Sequence, residues 1–160
     1  MTEGARPARR DDLPRLAELA EEAVAGLEAR RGGRQLTAGF GDPARSMAAL
    51  LDDDGTSVWV GTVDDVVVGV GTALAPGDGS VGRIELLYVE PDARQVGVGE
   101  AILDGLLGWL ADRGCEGADA FALPGDRDSK QFFEGAGMVA RLLVMHRPLR
   151  RGADGGGDVG

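Results

Sequence analysis

The chain has 160 residues, of which 43% are hydrophobic, so it is long and apolar enough to form one globular domain and is not a disordered chain. Its formal net charge of −10, from 27 acidic and 17 basic residues, argues against a nucleic-acid partner, whose phosphates require basic surfaces. No apolar run reaches the length of a membrane span, the first residues lack the apolar core of a signal peptide, and the single cysteine cannot form an internal disulfide, so we expect a cytoplasmic protein with no membrane contact.

The first half of the chain predicts one strand, two helices and a hairpin. Residues 5–9 read as a short strand, and Asp11 or Asp12 is placed to cap a helix whose apolar residues recur at helical spacing through Leu27. An Arg- and Gly-rich loop over 30–41 leads to a second helix, from Pro43 to Leu51, capped by Asp42. The β-branched runs 58–63 and 66–74 flank Asp64-Asp65, which predicts a hairpin with a two-residue turn.

The second half predicts three more strands and two more helices. Strands are expected at 81–89, 118–123 and 139–147, and helices at 99–113 and 128–136, the latter with a capping box formed by Asp128 and Gln131. The order β-α-α-β-β-β-α-β-α-β favours a mixed sheet of about six strands flanked by about four helices. We assign residues 1–150 to this domain and expect residues 151–160, with five glycines, to be a disordered tail.

The segment Arg94-Gln95-Val96-Gly97-Val98-Gly99 lies between a predicted strand and a predicted helix. In this arrangement the glycines let the backbone approach an anion, and the first N–H groups of the helix point at it, which is typical of pyrophosphate binding. Arg94 can add a charged contact. Glu100 and Ala101 stand where a Walker loop needs Lys and Ser or Thr, and Ile102 stands where a dinucleotide fingerprint needs glycine. A nucleotide-binding protein of another kind is therefore a weak alternative.

The pattern Arg-x-x-Gly-x-Gly after the strand Leu87-Tyr88-Val89 and Pro91 resembles the acyl-CoA loop of the GNAT superfamily of N-acetyltransferases. Residues 133–138 stand where the family carries Tyr-Glu-x-x-Gly-Phe, and the N-terminal segment is similar to the family's first strand and helix. The resemblance covers about residues 5–149. It implies a single-domain α/β fold with a mixed, mostly antiparallel sheet splayed at its centre, and acetyl-CoA as cosubstrate.

The resemblance also implies which residues hold acetyl-CoA. The backbone of Leu87, Tyr88 and Val89 would pair with the amides of the pantetheine arm, in the manner of an added strand. The N–H groups of residues 95–99 would bind the pyrophosphate. Lys130 would reach a phosphate, although a solvated lysine is equally consistent with its position, and Phe133 would lie against the pantetheine. The expected cofactor-binding residues are Leu87, Tyr88, Val89, Arg94, Gln95, Val96, Gly97, Val98, Gly99, Lys130 and Phe133.

Glu85 is the candidate general base, because an acceptor ammonium must lose a proton before its nitrogen can attack a thioester. Strand alternation places Glu85 on the face of Leu87 and Val89, with Tyr88 opposite. A structural glutamate paired with Arg83 is the other interpretation, and both remain open. Phe133 occupies the place of the family's proton-donating tyrosine and has no donor. Either water protonates the thiolate, or Phe132 and Phe133 only wall the pantetheine, or the protein binds acyl-CoA without fast transfer.

Two functions follow from these residues. The first is an N-acetyltransferase that moves an acetyl group from acetyl-CoA to a primary amine, on a small molecule or a peptide, by direct transfer in a ternary complex. The alternative is a non-catalytic acyl-CoA-binding or regulatory module on the same fold, suggested by Phe133. The acceptor pocket is expected from residues 27–51 and the last strand, with Trp59 and Phe40 as candidate lining. No metal is expected with only one histidine, and the resemblance leaves a homodimer through the terminal strand open.

Overall fold

The computed structural model of the chain describes residues 1–38 and 43–149. These residues form an α/β domain of five strands and five α-helices. The strands are β1 (Glu3–Pro7), β2 (Thr56–Val63), β3 (Val66–Leu74), β4 (Val81–Val89) and β5 (Gly117–Asp119). The helices are α1 (Leu13–Glu28), α2 (Gly33–Thr37), α3 (Pro43–Asp52), α4 (Val98–Asp112) and α5 (Arg127–Gly135). Within the described ranges, no helix is both long enough and apolar enough to span a bilayer.

The strands form one sheet in the order β1-β2-β3-β4-β5. All neighbouring strands are antiparallel except β4 and β5, which are parallel. The predicted mixed, mostly antiparallel sheet is therefore confirmed, with five strands in place of about six. The β2–β3 hairpin turns on Asp64 and Asp65, whose φ angles of 49° and 66° match the left-handed turn that suits the twist of two-residue hairpins.

Helices cover both faces of the sheet and divide the core into two clusters. On one face, α1 and α3 bury Leu16, Leu19 and Met47 against Val60, Val70 and Leu86. On the other face, α4 packs Ile102, Leu106 and Leu110 against Ile84 and Val89. Helix α4 lies very close to the strands at Gly71, where an added Cβ would stand 2.4 Å from Cγ2 of Ile102. The apolar residues of α4 recur at helical spacing, so one side of the helix packs along the sheet. This packing places the start of α4 beside the end of β4.

Several local predictions are corrected by the side-chain contacts. Asp12 stands at the start of α1 but does not cap it, because its carboxylate accepts the Arg9 N–H in the preceding turn. Helix α5 is capped by Asp126, which accepts the Ser129 N–H, and not by Asp128. The predicted loop 30–41 contains the short helix α2. The predicted cap Asp42 and the predicted tail 151–160 lie outside the described residues.

The two C-terminal strand predictions are also corrected. The strand predicted at 118–123 is Gly117–Asp119 only, because β5 separates from β4 beyond Asp119. The strand predicted at 139–147 is absent from the described structure, in which residues 139–149 belong to no strand. Alternating apolar residues form a strand only where a neighbouring strand takes their backbone hydrogen bonds, and the backbone of residues 139–149 makes none with the backbone of the described residues.

Asp12→Asn is expected to lower the free energy of unfolding by about 1 to 2 kcal/mol at pH 7, the range for hydrogen bonds to charged groups with one partner partly exposed. Arg6 donates two hydrogen bonds to the Asp12 carboxylate, at 2.7 and 3.0 Å. This guanidinium holds the pKa of Asp12 below its usual value. A lowered carboxyl pKa stabilises the fold above the unfolded-state pKa, and the contribution is lost as pH falls through the folded-state pKa.

Urea unfolding at pH 7 and pH 3 measures this effect. The difference in the free energy of unfolding between the wild type and Asp12→Asn should shrink at pH 3. Asp11→Asn, which changes an exposed neighbouring carboxylate, should be as stable as the wild type at both pH values. An equal difference at the two pH values would show that the ionised pair is not its cause.

Candidate functional site

A gap opens between β4 and β5 toward the carboxyl ends of both strands. Their parallel pairing is limited to Val81–Gly117, Gly82–Ala118 and Arg83–Asp119, so β4 continues to Val89 without a partner on that side. The Glu90 N–H donates to the Val68 carbonyl, toward β3, at 2.9 Å. Because backbone groups alternate along a strand, those of Leu87 and Val89 point into the gap and those of Tyr88 toward β3. The gap can accept an extended chain that carries amide groups.

The glycine-rich loop, residues 94–99, lies at the end of this gap. After a single turn of 3-10 helix over Pro91–Ala93, Gln95 and Gly97 both adopt left-handed φ angles, 66° and 94°. The first helical hydrogen bond of α4 runs from Ala101 N–H to the Gly97 carbonyl, at 3.0 Å, and no side chain caps the helix. The N–H groups of the first turn and the positive end of the helix dipole are thus available to an anion. The local geometry is that of a phosphate cradle.

Arg94 is held at the end of β4. Its Nε donates to the Val89 carbonyl at 2.8 Å, and its guanidinium carbon lies 5.6 Å from the centroid of the Tyr88 ring. Contact of the Arg94 Nη groups with a phosphate stays a prediction.

Helix α5 contributes aromatic side chains beside the loop. A Cβ on Gly99 would lie 3.2 Å from the Phe132 ring, so this ring rests directly on the first turn of α4. Phe133 packs edge-on against Phe132, with ring centroids 5.3 Å apart, and both join the α4 cluster. Lys130 is largely exposed and pairs with Glu134 one turn along α5. The aromatic pair can wall the gap, and Phe133 presents no hydroxyl to it.

Glu85 is the extra residue of a bulge in β4. Thr72 of β3 pairs with Leu86, and the next residue, Ala73, pairs with Ile84, which leaves Glu85 without a partner. The bulge reverses the faces predicted by alternation: Ile84, Leu87 and Val89 all join the α4 cluster, whereas Leu86 and Tyr88 join the α1 cluster.

Glu85 shares the α1 face. Gly82 and Ile84 both face α4, since a Cβ on Gly82 would contact Leu110 and Ile84 packs with the α4 cluster. Arg83, between them, faces the opposite side, and its guanidinium lies 3.1 Å from the Glu85 carboxylate. The prediction that Glu85 lies on the face of Leu87 and Val89 is therefore wrong. The Glu85 side chain is 36% exposed, so a substrate can reach it from solvent.

Tyr88 lies on this same face, and its hydroxyl donates to Glu22 of α1 at 2.9 Å. Burial raises the pKa of Tyr88, and the Glu22 carboxylate raises it further, so the phenol stays protonated at neutral pH. Glu90 nearby accepts from Arg15 of α1, which also donates to the Val67 carbonyl. These contacts tie α1 to β3 and to the end of β4, beside the bulge.

Neither of the two aromatic residues predicted to line the acceptor pocket is found there in the described structure. Trp59 does not line this face, because its ring packs on Gly105 of α4, on the opposite side of the sheet. Phe40 lies outside the described residues. Among residues 1–38 and 43–149, no three His, Cys, Asp or Glu side chains are grouped so that they could hold a metal ion.

Two site features were not predicted. The Glu3 side chain lies against the loop, since a Cβ on Gly97 would stand 3.4 Å from Cγ of Glu3. No sequence signal near the loop indicates this contact, which depends on β1 packing beside α4. The Glu22–Tyr88 hydrogen bond joins residues 66 positions apart, and Glu22 reads in sequence as an ordinary solvated helix residue.

Comparison with known proteins gives a family and a fold. The sequence model of the acetyltransferase (GNAT) family matches residues 17–138. A search of curated protein sequences returns no significant match. Among solved structures, the aminoglycoside N-acetyltransferase AAC(6')-Iy, in complex with a CoA bisubstrate analogue, is 20% identical with a TM-score of 0.67, covering 94% of this chain and all of its own.

Two further structures are similarly related. A transcriptional regulator from Bacillus halodurans C-125 is 22% identical with a TM-score of 0.70, covering 91% of this chain and 100% of its own. A ribosomal-protein-alanine N-acetyltransferase from Brucella melitensis biovar Abortus 2308 is 17% identical with a TM-score of 0.66, covering 93% and 100%. At these identities the likeness establishes the shared fold.

Proposed function

The chain belongs to the acetyltransferase (GNAT) family, and from this premise we propose that it transfers an acetyl group from acetyl-CoA to a primary amine, directly, within a ternary complex. The observation that carries the proposal is the continuity of three parts. The bulge at Glu85, the gap beside the end of β4 and the uncapped start of α4 follow one another in this order along the chain.

Acetyl-CoA fits these parts by its own chemistry. Its pyrophosphate needs backbone donors and a positive dipole, which the first turn of α4 offers with Gln95, Val96, Gly97, Val98 and Gly99. Its pantetheine amides need strand-like partners, which Leu87 and Val89 offer beside the gap. We assign Tyr88 to the same strand segment, Phe133 to the wall of the gap, and Arg94 and Lys130 to the phosphates.

The acceptor amine would approach from the α1 face, where Glu85 and Tyr88 lie. Glu85 removes one proton from the ammonium, directly or through one water. The amine nitrogen then bonds to the acetyl carbon and releases its second proton to water as the carbon–sulfur bond breaks. Because Phe133 has no hydroxyl, the departing thiolate takes its proton from water. A small cationic amine suits the acidic α1 face and the net charge of −10. The aminoglycoside acetyltransferases among the structural relatives support this class of acceptor.

Glu85→Gln is expected to lower kcat/KM about 100-fold or more, the usual contribution of a general base, while the affinity for acetyl-CoA stays unchanged. Thiol release with a panel of amines, including an aminoglycoside, a diamine and a peptide, identifies an acceptor and then measures the effect. Arg83→Gln is the matched control: it breaks the same ion pair and keeps the carboxylate.

Equal losses in Arg83→Gln and Glu85→Gln would assign Glu85 a structural role only. Acetyl-CoA binding without turnover on any amine would favour the non-catalytic module.

A further inference from the structure

The Glu3 side chain reaches the glycine-rich loop from the edge of the sheet. Glu3 is the first residue of β1, and helix α4 packs against this strand. A Cβ on Gly97 would stand 3.4 Å from Cγ, 4.0 Å from Cδ and 3.8 Å from Oε1 of Glu3. Because a carbon–carbon bond is about 1.5 Å long, the carboxylate lies within about 5 Å of the Gly97 backbone. A negative charge therefore stands beside the loop to which we assign the pyrophosphate.

No cation neutralises this carboxylate in the part of the chain that the structure describes. The Glu3 side chain is exposed, and no ion pair or side-chain hydrogen bond joins it to residues 1–38 or 43–149. Arg6, which lines the same surface cleft as Glu3, is bound to Asp12. Arg94 of the loop donates to the Val89 carbonyl. The charge of Glu3 thus acts on the loop without a paired cation.

This charge has opposite effects on the empty and the occupied loop. In the empty protein, the uncapped first turn of α4 and the positive end of its dipole stabilise a nearby carboxylate. In the complex, the same N–H groups would face a pyrophosphate, and like charges a few ångströms apart repel each other. Glu3 therefore favours the empty loop and disfavours the occupied one.

We propose that Glu3 competes with the pyrophosphate for the start of α4 and so lowers the affinity of the protein for acetyl-CoA and for CoA. This inference rests on the proposed function, which places acetyl-CoA at the loop. Because both ligands carry the same pyrophosphate, Glu3 also weakens the binding of the product and speeds the release of CoA after transfer. A thioester without the pyrophosphate, such as acetylpantetheine, does not meet this repulsion.

Calorimetric titration of Glu3→Gln tests the competition. The variant keeps the size of the side chain and removes its charge. It should bind acetyl-CoA and CoA about 3- to 10-fold more tightly than the wild type, and acetylpantetheine with unchanged affinity. Glu3→Lys should bind acetyl-CoA more tightly still, which a purely structural role of Glu3 would not produce. Raising the salt concentration to about 0.5 M should reduce these differences, because salt screens exposed charges.

Glu116→Gln is the matched control, since Glu116 is an exposed glutamate beyond the opposite end of α4. It should bind all three ligands as the wild type does. Unchanged or weaker binding of acetyl-CoA by Glu3→Gln would overturn this inference and leave the proposed function standing. An equal gain with acetylpantetheine, or an equal gain in Glu116→Gln, would do the same. A wild type that does not bind acetyl-CoA would overturn the proposed function and this inference together.

Discussion

Replacing Gly97 by glutamate is expected to weaken acetyl-CoA binding at least about 100-fold, or roughly 3 kcal/mol. Gly97 has a φ angle of 94°, which glutamate adopts only with strain, and it immediately precedes the first residue of α4. The new side chain would extend toward Glu3, since its Cβ already lies 3.4 Å from Cγ of Glu3. It would add negative charge where the helix dipole favours an anion. Calorimetric titration with acetyl-CoA measures the loss.

Gly108→Glu is the matched control for this variant. It adds the same charge to the same helix, at an exposed position where an added Cβ meets nothing within 4 Å. It should bind acetyl-CoA as the wild type does. Equal losses in both variants would attribute the effect to total charge, and full binding by Gly97→Glu would remove the loop from the site.

The second large effect concerns the packing of α4 on the sheet. Gly105→Ala is expected to destabilise the domain by about 1 to 3 kcal/mol, the range for overpacking a core. A Cβ at Gly105 would lie 2.4 Å from the Trp59 ring, which is held by a hydrogen bond from its Nε1 to Ser57. Urea unfolding followed by circular dichroism measures the change.

Gly108→Ala, in the same helix, is expected to change the stability of the domain in the opposite direction. Its Cβ meets open space, so the better helix propensity of alanine should stabilise the domain by about 0.5 to 1 kcal/mol. If Gly105→Ala proved as stable as Gly108→Ala, α4 could not lie against Trp59 as described.

Much of the fold could be predicted because its signals are local. The paired Asp64 and Asp65 select a left-handed turn, and the apolar spacing after Gly99 defines α4 to within a residue or two. The strand–glycine turn–helix order around Gly97 likewise depends on neighbouring residues, so the geometry of a phosphate cradle could be anticipated.

The remaining features depend on partners distant in sequence. The bulge at Glu85 is a property of register against Thr72 and Ala73, which alternation within β4 cannot show, so the predicted face of Glu85 was wrong. Strand β5 ends at Asp119 because β4 diverges from it, although residues 120–123 keep a strand-like pattern. Residues 139–147 are strand-like in sequence but pair with no strand of the described structure. The roles of the individual site residues stay predictions.

The central claim is that acetyl-CoA lies along β4 with its pyrophosphate at the start of α4. Amide NMR spectra of the isotope-labelled chain, recorded during titration with acetyl-CoA, test it most directly. We predict saturable shifts for Leu87, Val89 and residues 95–99. Gly77 and Asp78, in the turn between β3 and β4 near the carboxyl end of α4, should be unchanged. The absence of saturable shifts, or shifts confined to residues away from the gap and the loop, would contradict the claim.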